Sequence, residues 1–292
     1  MMKIIKMKKA KIVNEDNMKG QIIKIISNDY FVSYQNKEYI CKARGKLRNK
    51  NLTLKVGDYC IFNEKEQVIE EICKRRNSLE RPSVSNIDQA FIVTSCKSPD
   101  FSANLLDKLL VVLEFNNIKP VICFTKRDLL TKSELKEIKQ VKKYYQSIGY
   151  TTLWNTNLFR IKRLFKNKTT VFTGQTGAGK SSLLNKIAPK LKLETGEISK
   201  ALGRGKHTTR HVELIELYHG KVLDTPGFSS IDFSDMDNLD IRNSFIEFPK
   251  YNCPYHDCMH TKEKDCLVKQ AAQTNKMLAE RLTNYQKFIN RK

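Results

Sequence analysis

No apolar stretch of the 292-residue sequence approaches the ~20 residues that a membrane span requires, so no membrane partner is expected. A secretory leader is not evident either. The opening Met1-Met2-Lys3-Ile4-Ile5-Lys6-Met7-Lys8-Lys9 has too short an apolar block, reads as a basic tail, and leads us to expect a cytoplasmic protein. Acidic residues are scarce. Against 31 Asp and Glu stand 53 Lys and Arg, a net charge of +22. The basic excess runs along the whole chain and is densest in residues 1–82, which favours a polyanionic partner such as RNA. The wealth of Lys, Ile and Asn is also what an AT-rich genome produces, so charge favours RNA without identifying it. A disulfide framework is missing too. Cys41, Cys60, Cys73, Cys96 and Cys123 sit in strand-like, largely apolar runs and read as reduced core residues. The other three cysteines cluster with histidine near the C-terminus. The length fits two or three small domains.

What is present is a set of nucleotide motifs. Gly174-Gln175-Thr176-Gly177-Ala178-Gly179-Lys180-Ser181 fits G-x-x-x-x-G-K-[ST], a pattern met by chance in roughly one chain in a hundred of this length. The β-branched run over residues 169–173 predicts a buried strand before it. Ser181, Ser182 and the following residues to Ala188 predict a helix behind it, stopped by Pro189. In that context backbone N–H groups wrap a phosphate, and the helix N-terminus adds positive potential. Lys180 is expected to reach the β- and γ-phosphates and Ser181 to ligate Mg²⁺. Downstream, Asp224-Thr225-Pro226-Gly227 follows a predicted strand end. Its carboxylate suits the Mg²⁺ shell and the Gly227 N–H a γ-phosphate. Between them lies the basic, Gly-rich stretch Gly203-Arg204-Gly205-Lys206-His207-Thr208-Thr209-Arg210, suited to a loop that orders around γ-phosphate. Thr208 or Thr209 is the candidate for a second hydroxyl on Mg²⁺. His207 is the candidate for positioning water, with a solvent-facing loop histidine an equal alternative.

Thr125-Lys126-Arg127-Asp128 follows the apolar run 121–124. A carboxylate there accepts from both guanine N1–H and the N2 amino group, a donor pair adenine lacks. The usual motif is Asn-Lys-x-Asp. Thr125 has a hydroxyl in place of the amide, so one support of the base loop is weaker and nucleotide affinity is expected to fall. Asn155-Thr156-Asn157, ahead of a helical pattern over 158–165, is the best candidate for the companion base loop. In an ordinary small GTPase the phosphate loop comes first and the base motif near the end. Here Asp128 precedes Lys180, so the order is permuted. Phe228 stands where many GTPases place a water-orienting glutamine, so slow intrinsic hydrolysis is expected.

At the C-terminal side, Cys253, Cys258, His260 and Cys266 form C-x4-C-x-H-x5-C. Three thiolates and one imidazole close a tetrahedral Zn²⁺ site with no open position, hence one structural zinc per chain. His256 competes for the fourth position and ranks below His260. A helical stretch follows, with Ala271, Leu278, Leu282, Tyr285 and Ile289 on its predicted buried face. At the other end, residues 21–26, 30–34, 39–43, 58–62 and 67–72 read as short strands of a small β-barrel. Val56-Gly57-Asp58 reads as a turn into a strand, and residues 44–50 as a basic loop. The spacing suits an OB-type barrel, which binds oligonucleotides, but other small barrels share it.

Taken together, these features resemble the ribosome small-subunit-dependent GTPase family (RsgA, also called YjeQ). The likeness rests on Arg44-Gly45-Lys46-Leu47-Arg48, Val56-Gly57-Asp58, Arg75-Arg76-Asn77 and Arg81-Pro82. It continues through Gly174 to Ser182, Leu202 to Thr209, Asp224-Thr225-Pro226-Gly227-Phe228 and the Cys3His cluster. The resemblance implies an OB-type barrel over residues 1–82, a circularly permuted α/β GTPase domain over 83–240 and a zinc-binding domain with a helix over 241–292. It also implies late maturation of the small ribosomal subunit, with GTP and GDP, the subunit and its rRNA as partners. A monomer is expected. The alternative kept open by the sequence is a passive RNA-binding assembly factor with a decayed nucleotide pocket.

Overall fold

The computed structural model describes residues 16–48, 53–80, 83–189, 212–224 and 233–290, with the side chains of Lys46, Arg48 and Asp224 outside that description. The chain divides into two compact units, Met1–Arg75 and Arg76–Lys292.

The first unit is a five-stranded barrel. It comprises β1 (Asn17–Ile26), β2 (Asp29–Tyr34), β3 (Lys37–Ala43), a helical turn α1 (Gly45–Arg48), β4 (Tyr59–Asn63) and β5 (Val68–Ile72). β1, β2 and β3 pair antiparallel, β3 runs parallel to β5, β5 pairs antiparallel with β4, and β4 closes on β1. That closure leaves no free edge among the five strands and is the OB-type order. Ile22, Val32, Cys41, Cys60, Phe62 and Ile69 fill the interior. Gly20 lets two strands approach, since a Cβ there would lie 2.3 Å from Val32 Cγ1. The Val56-Gly57-Asp58 turn is tied down through the buried Asp58 carboxylate. It accepts from the Lys55 backbone N–H at 2.8 Å and from Arg75 Nε and Nη2 at 2.7 and 2.8 Å. The stretch expected as a basic loop after β3 instead begins with the helical turn α1, because Leu47 turns inward to join the barrel core. Arg44 beside it is ion-paired with Glu70.

The second unit opens with a short hairpin, β6 (Ser78–Leu79) and β7 (Val84–Ser85). Then come β8 (Gln89–Ser95), α2 (Ala103–Phe115), β9 (Lys119–Thr125), α3 (Lys132–Ile148), β10 (Thr151–Trp154), α4 (Leu158–Phe165) and β11 (Thr169–Thr173). After these follow α5 (Lys180–Ile187), β12 (Glu213–Leu217), β13 (Gly220–Asp224), α6 (Asn238–Asn243), α7 (Leu267–Ala272) and α8 (Lys276–Ile289). In space the strands run β10-β9-β8-β11-β13-β12, all parallel except the terminal hairpin β12–β13. The chain therefore enters this sheet in the middle, builds out to β10 and returns through α4 to β11. β8 and β11 are buried along their whole length, as central parallel strands are. Phe91, Val93, Phe172 and Val222 of the sheet pack against Ile161 and Phe165 of α4 and Leu183 and Ile187 of α5. No helix among the described residues is long and apolar enough to cross a membrane.

The stretch after Cys266, expected as one helical run, is two helices. The break falls at residues 273–275, where the Asn275 side chain accepts from the Leu278 N–H at 3.2 Å and starts α8 afresh. Leu278, Leu282 and Tyr285 are buried as expected, while Ala271 and Ile289 are half-buried.

Candidate nucleotide site and metal centre

Loops leaving the carboxyl ends of β8, β9, β10 and β11 gather at one end of the parallel sheet, where open α/β sheets place their ligands. The loop after β11 begins at Gly174 with φ +131°. A Cβ there would sit 2.1 Å from Val93 O of β8, so only glycine lets the loop cross the neighbouring strand. Gly179, also left-handed at φ 95°, turns the chain into α5. Ala178 is buried, Gln175 and Ser181 are half-buried, and Thr176, Gly177 and Ser182 are exposed. The Lys180 ammonium folds over the loop and donates to Gly174 O at 2.6 Å and Gln175 O at 2.9 Å. Its burial holds its pKa below the ordinary lysine value. The loop is thus braced by its own lysine, which bonds two of its carbonyls.

The base-reading stretch is tied directly to that loop. Thr125 ends β9, is 2 % exposed, and its hydroxyl lies 2.6 Å from Ala178 O and 3.3 Å from Thr94 O. The hydroxyl that replaces the usual amide still joins the two motifs through one short hydrogen bond. Lys126 is left-handed at φ 55° and its ammonium donates to Ser98 O in the loop after β8. Asp128 follows in a 3-10 turn (Arg127–Leu129) with its carboxylate exposed at the rim. Beside it, Asn155 N–H donates to Phe124 O at 2.9 Å, and the Asn157 side chain accepts from Trp154 N–H at 3.1 Å. The Asn155–Asn157 loop is therefore fixed next to the Asp128 loop by the parallel register of β10 and β9. The Asp224 backbone ends β13, beside β11. His207, Thr208, Thr209, Gly227 and Phe228 lie outside the described residues.

The cysteine cluster assembles as its spacing suggests. The donor atoms of Cys253, Cys258, His260 and Cys266 all lie within 4.8 Å of one another. His260 Nδ1 is 3.3 Å from Cys266 Sγ, 3.4 Å from Cys258 Sγ and 3.7 Å from Cys253 Sγ, and Cys253 and Cys266 are 3.8 Å apart. A tetrahedral ion with metal–S of about 2.3 Å and metal–N of about 2.0 Å spaces its ligands by roughly 3.5–3.8 Å. The residues fit a metal. Burial pushes the Cys258 thiol up to about 12 and lowers His260, which favours the neutral imidazole a metal takes. At Cys253 burial opposes ionisation, but hydrogen bonds from the backbone N–H groups of Val268 and Leu267, together with those to Cys266 and Cys258, hold the thiol below its ordinary value. His256 is exposed and stands outside the cluster.

What holds this loop was not visible in the motif. Glu263 accepts from the N–H groups of Met259 at 2.8 Å and Thr261 at 2.7 Å. From α8, Tyr285 OH donates to Met259 O at 2.7 Å and Gln286 to His260 O at 3.2 Å. Deeper still, Arg281 of α8 is fully buried. It reaches both Glu247 carboxylate oxygens and the Asp107 carboxylate of α2, to which Asn284 and Tyr145 also donate at 2.8 and 2.7 Å. The sequence signal for it was a charged residue beside Leu282 on a helix face that is apolar apart from Asn284.

Comparisons with known proteins agree with this geometry. A family profile described as "RsgA GTPase" matches residues 72–234, and one described as "RsgA N-terminal domain" matches residues 19–69. The chain is 45 % identical to the "Small ribosomal subunit biogenesis GTPase RsgA 2" of Oceanobacillus iheyensis, over 92 % of this chain and 96 % of that one. It is also 45 % identical to the RsgA of Enterococcus faecalis, over 93 % and 94 %. Among solved structures it resembles YloQ, described as a circularly permuted GTPase, with TM-score 0.80 and 36 % identity over 95 % and 96 % of the two chains. It resembles YjeQ from Thermotoga maritima with TM-score 0.82 and 31 % identity over 94 % and 100 %. A barrel, a sheet whose chain order starts in the middle, and a Cys3His loop behind it thus converge with these matches: the chain belongs to the RsgA family of circularly permuted GTPases.

Proposed function

We propose that this GTPase acts in the late maturation of the small ribosomal subunit, as a cytoplasmic monomer that binds the subunit through its rRNA. The single observation that supports the nucleotide half is the 2.6 Å bond from Thr125 Oγ1 to Ala178 O, which ties the two stretches carrying the base and phosphate motifs to each other despite their permuted order. The partner half is supported by the relatives' names, which describe small-subunit biogenesis, and by the net charge of +22.

In this reading the N–H groups of Gly174 to Ser182 cradle the phosphates. Lys180 leaves the Gly174 and Gln175 carbonyls for the β- and γ-phosphates, and Asp128 accepts from the guanine edge with Lys126 alongside. Ser181, Asp224 and Thr208 or Thr209 would hold Mg²⁺, which when bound would supply positive charge to the phosphates. Gly227 meets the γ-phosphate and His207 positions water. Cys253, Cys258, His260 and Cys266 hold one structural Zn²⁺. Organised by role, residues 1–82 bind RNA, residues 83–240 hydrolyse GTP and residues 241–292 form the zinc module. With Phe228 in place of a glutamine, hydrolysis waits for the subunit to complete the site.

The test is GTP turnover by metal-loaded protein with and without purified small subunits at low salt. Stimulation by orders of magnitude is expected, with large subunits inert. Equal turnover with and without small subunits, in protein that binds GTP, would contradict the reading.

A further inference from the structure

The outer face of α4 is built unlike the rest of the sheet's cover. Ile161 and Phe165 turn inward to the core, so positions 159, 160 and 163 face away from it. Phe159 is 81 % exposed, the most exposed large apolar side chain among the described residues. Around it stand Arg160, Arg163 and Lys166, all exposed, and α4 contains no carboxylate. Among the described residues these three cations have no ion pair or hydrogen bond through their side chains. Lys162, on the flank, lies 5.1 Å from the ring centroid of Tyr218, itself 36 % exposed. Lys142 of α3 comes close to Arg160. Burial and then this like charge lower its ammonium pKa.

Helix electrostatics accounts for part of this. Cations in the last turn, Lys162 and Arg163, complement the negative end of the helix dipole. It does not account for Arg160 in the first turn, where the dipole disfavours a guanidinium, nor for a phenyl ring in water. We propose that this face is an RNA-docking surface: an unpaired base stacks on the Phe159 ring and its flanking phosphates lie on Arg160 and Arg163. Flat rings interleaved with unpaired cations are what single-stranded nucleic acid takes. A membrane surface is a poorer fit, because the apolar side of α4 is already spent on the core and one ring offers little area to insert. An acidic protein patch would satisfy the cations but leave the ring among charges. That the RNA is ribosomal rests on the proposed function; the surface itself does not.

The first probe is a fluorescein-labelled single-stranded RNA 20-mer of mixed sequence, titrated with full-length, metal-loaded protein. Phe159→Ala should weaken binding roughly ten-fold, and Phe159→Tyr, which keeps the ring, should preserve it. Arg160→Ala with Arg163→Ala should reduce the slope of log affinity against log salt by about 1.4, the single-strand value for two phosphates. Thermal stability and GTP affinity should not move. Unchanged RNA affinity and salt slope in these variants would overturn the proposal. So would a loss of GTP affinity with RNA binding intact, which would give the ring to the nucleotide pocket, or loss of binding to phosphatidylglycerol vesicles but not to RNA. The second probe is Phe159→p-benzoylphenylalanine, irradiated on purified small subunits. Crosslinks to rRNA support the docking surface and crosslinks to ribosomal proteins alone overturn it. If small subunits fail to stimulate wild-type turnover, the ribosomal reading falls while the 20-mer result still decides the fate of the α4 surface.

Discussion

The two candidate sites of the second unit are held by opposite means. The phosphate loop hangs between β11 and α5, and the strands beneath it are buried end to end, so the sheet shapes the loop before any ligand arrives. The cysteine loop contains no strand. Between Cys253 and Cys266 it is held by Glu263 and by α8, with four donors gathered where they could share a metal. The lesson is that one site borrows its geometry from a core, while the other rests on a clamp and on the ligation its four donors would supply to a metal. Arg281 sharpens the contrast. It fixes the clamp to α2 of the GTPase sheet through a buried ion cluster, so the clamp depends on charge where the phosphate loop depends on packing.

Four perturbations would break or sharpen that contrast, taken from the largest expected effect to the smallest. Lys180→Ala should lower GTP turnover by orders of magnitude with the melting temperature nearly unchanged, because its ammonium bonds only two loop carbonyls. Undiminished turnover in the folded variant would remove the phosphate loop from the chemistry. Cys258→Ser should lower metal content and separate a low-temperature transition of the C-terminal module from the main one, as seen by calorimetry beside elemental analysis. Arg281→Ala leaves Asp107 and Glu247 buried without their cation, at a cost of about 3–5 kcal/mol by urea denaturation. Thr125→Val removes the hydroxyl while keeping its volume. It should cost about 1–2 kcal/mol and weaken GTP binding a few-fold, and Thr125→Asn should recover the affinity. An unaffected Kd in the valine variant would mean that the bond to Ala178 O does not couple the two motifs.

Much of this architecture was legible in the chain. Strand–glycine loop–helix around Lys180 needs particular residues at particular spacings, and the same holds for the four metal donors. The β-branched run over 169–173 announced β11, and the apolar run 121–124 lies in β9. What stayed hidden was long-range. That Thr125 donates to Ala178 O depends on the approach of two loops 53 positions apart, which no local pattern encodes. The basic stretch after β3 concealed Leu47, one apolar residue among cations, which pulls that segment into a helical turn. The break before α8 depends on Asn275 capping, and the buried Arg281 needs partners contributed by two other elements. The passive RNA-binding alternative is set aside by membership in a GTPase family, with the phosphate lysine in place.

The claim that a core holds one site and ligation the other is tested most directly by hydrogen exchange on full-length protein before and after removal of the metal by chelation. Protection should collapse over residues 253–266 and weaken in α8, while amides of β8, β9 and β11 keep their rates. Equal protection of the cysteine loop with and without metal, or loss of protection spreading through β8 and β11, would contradict it.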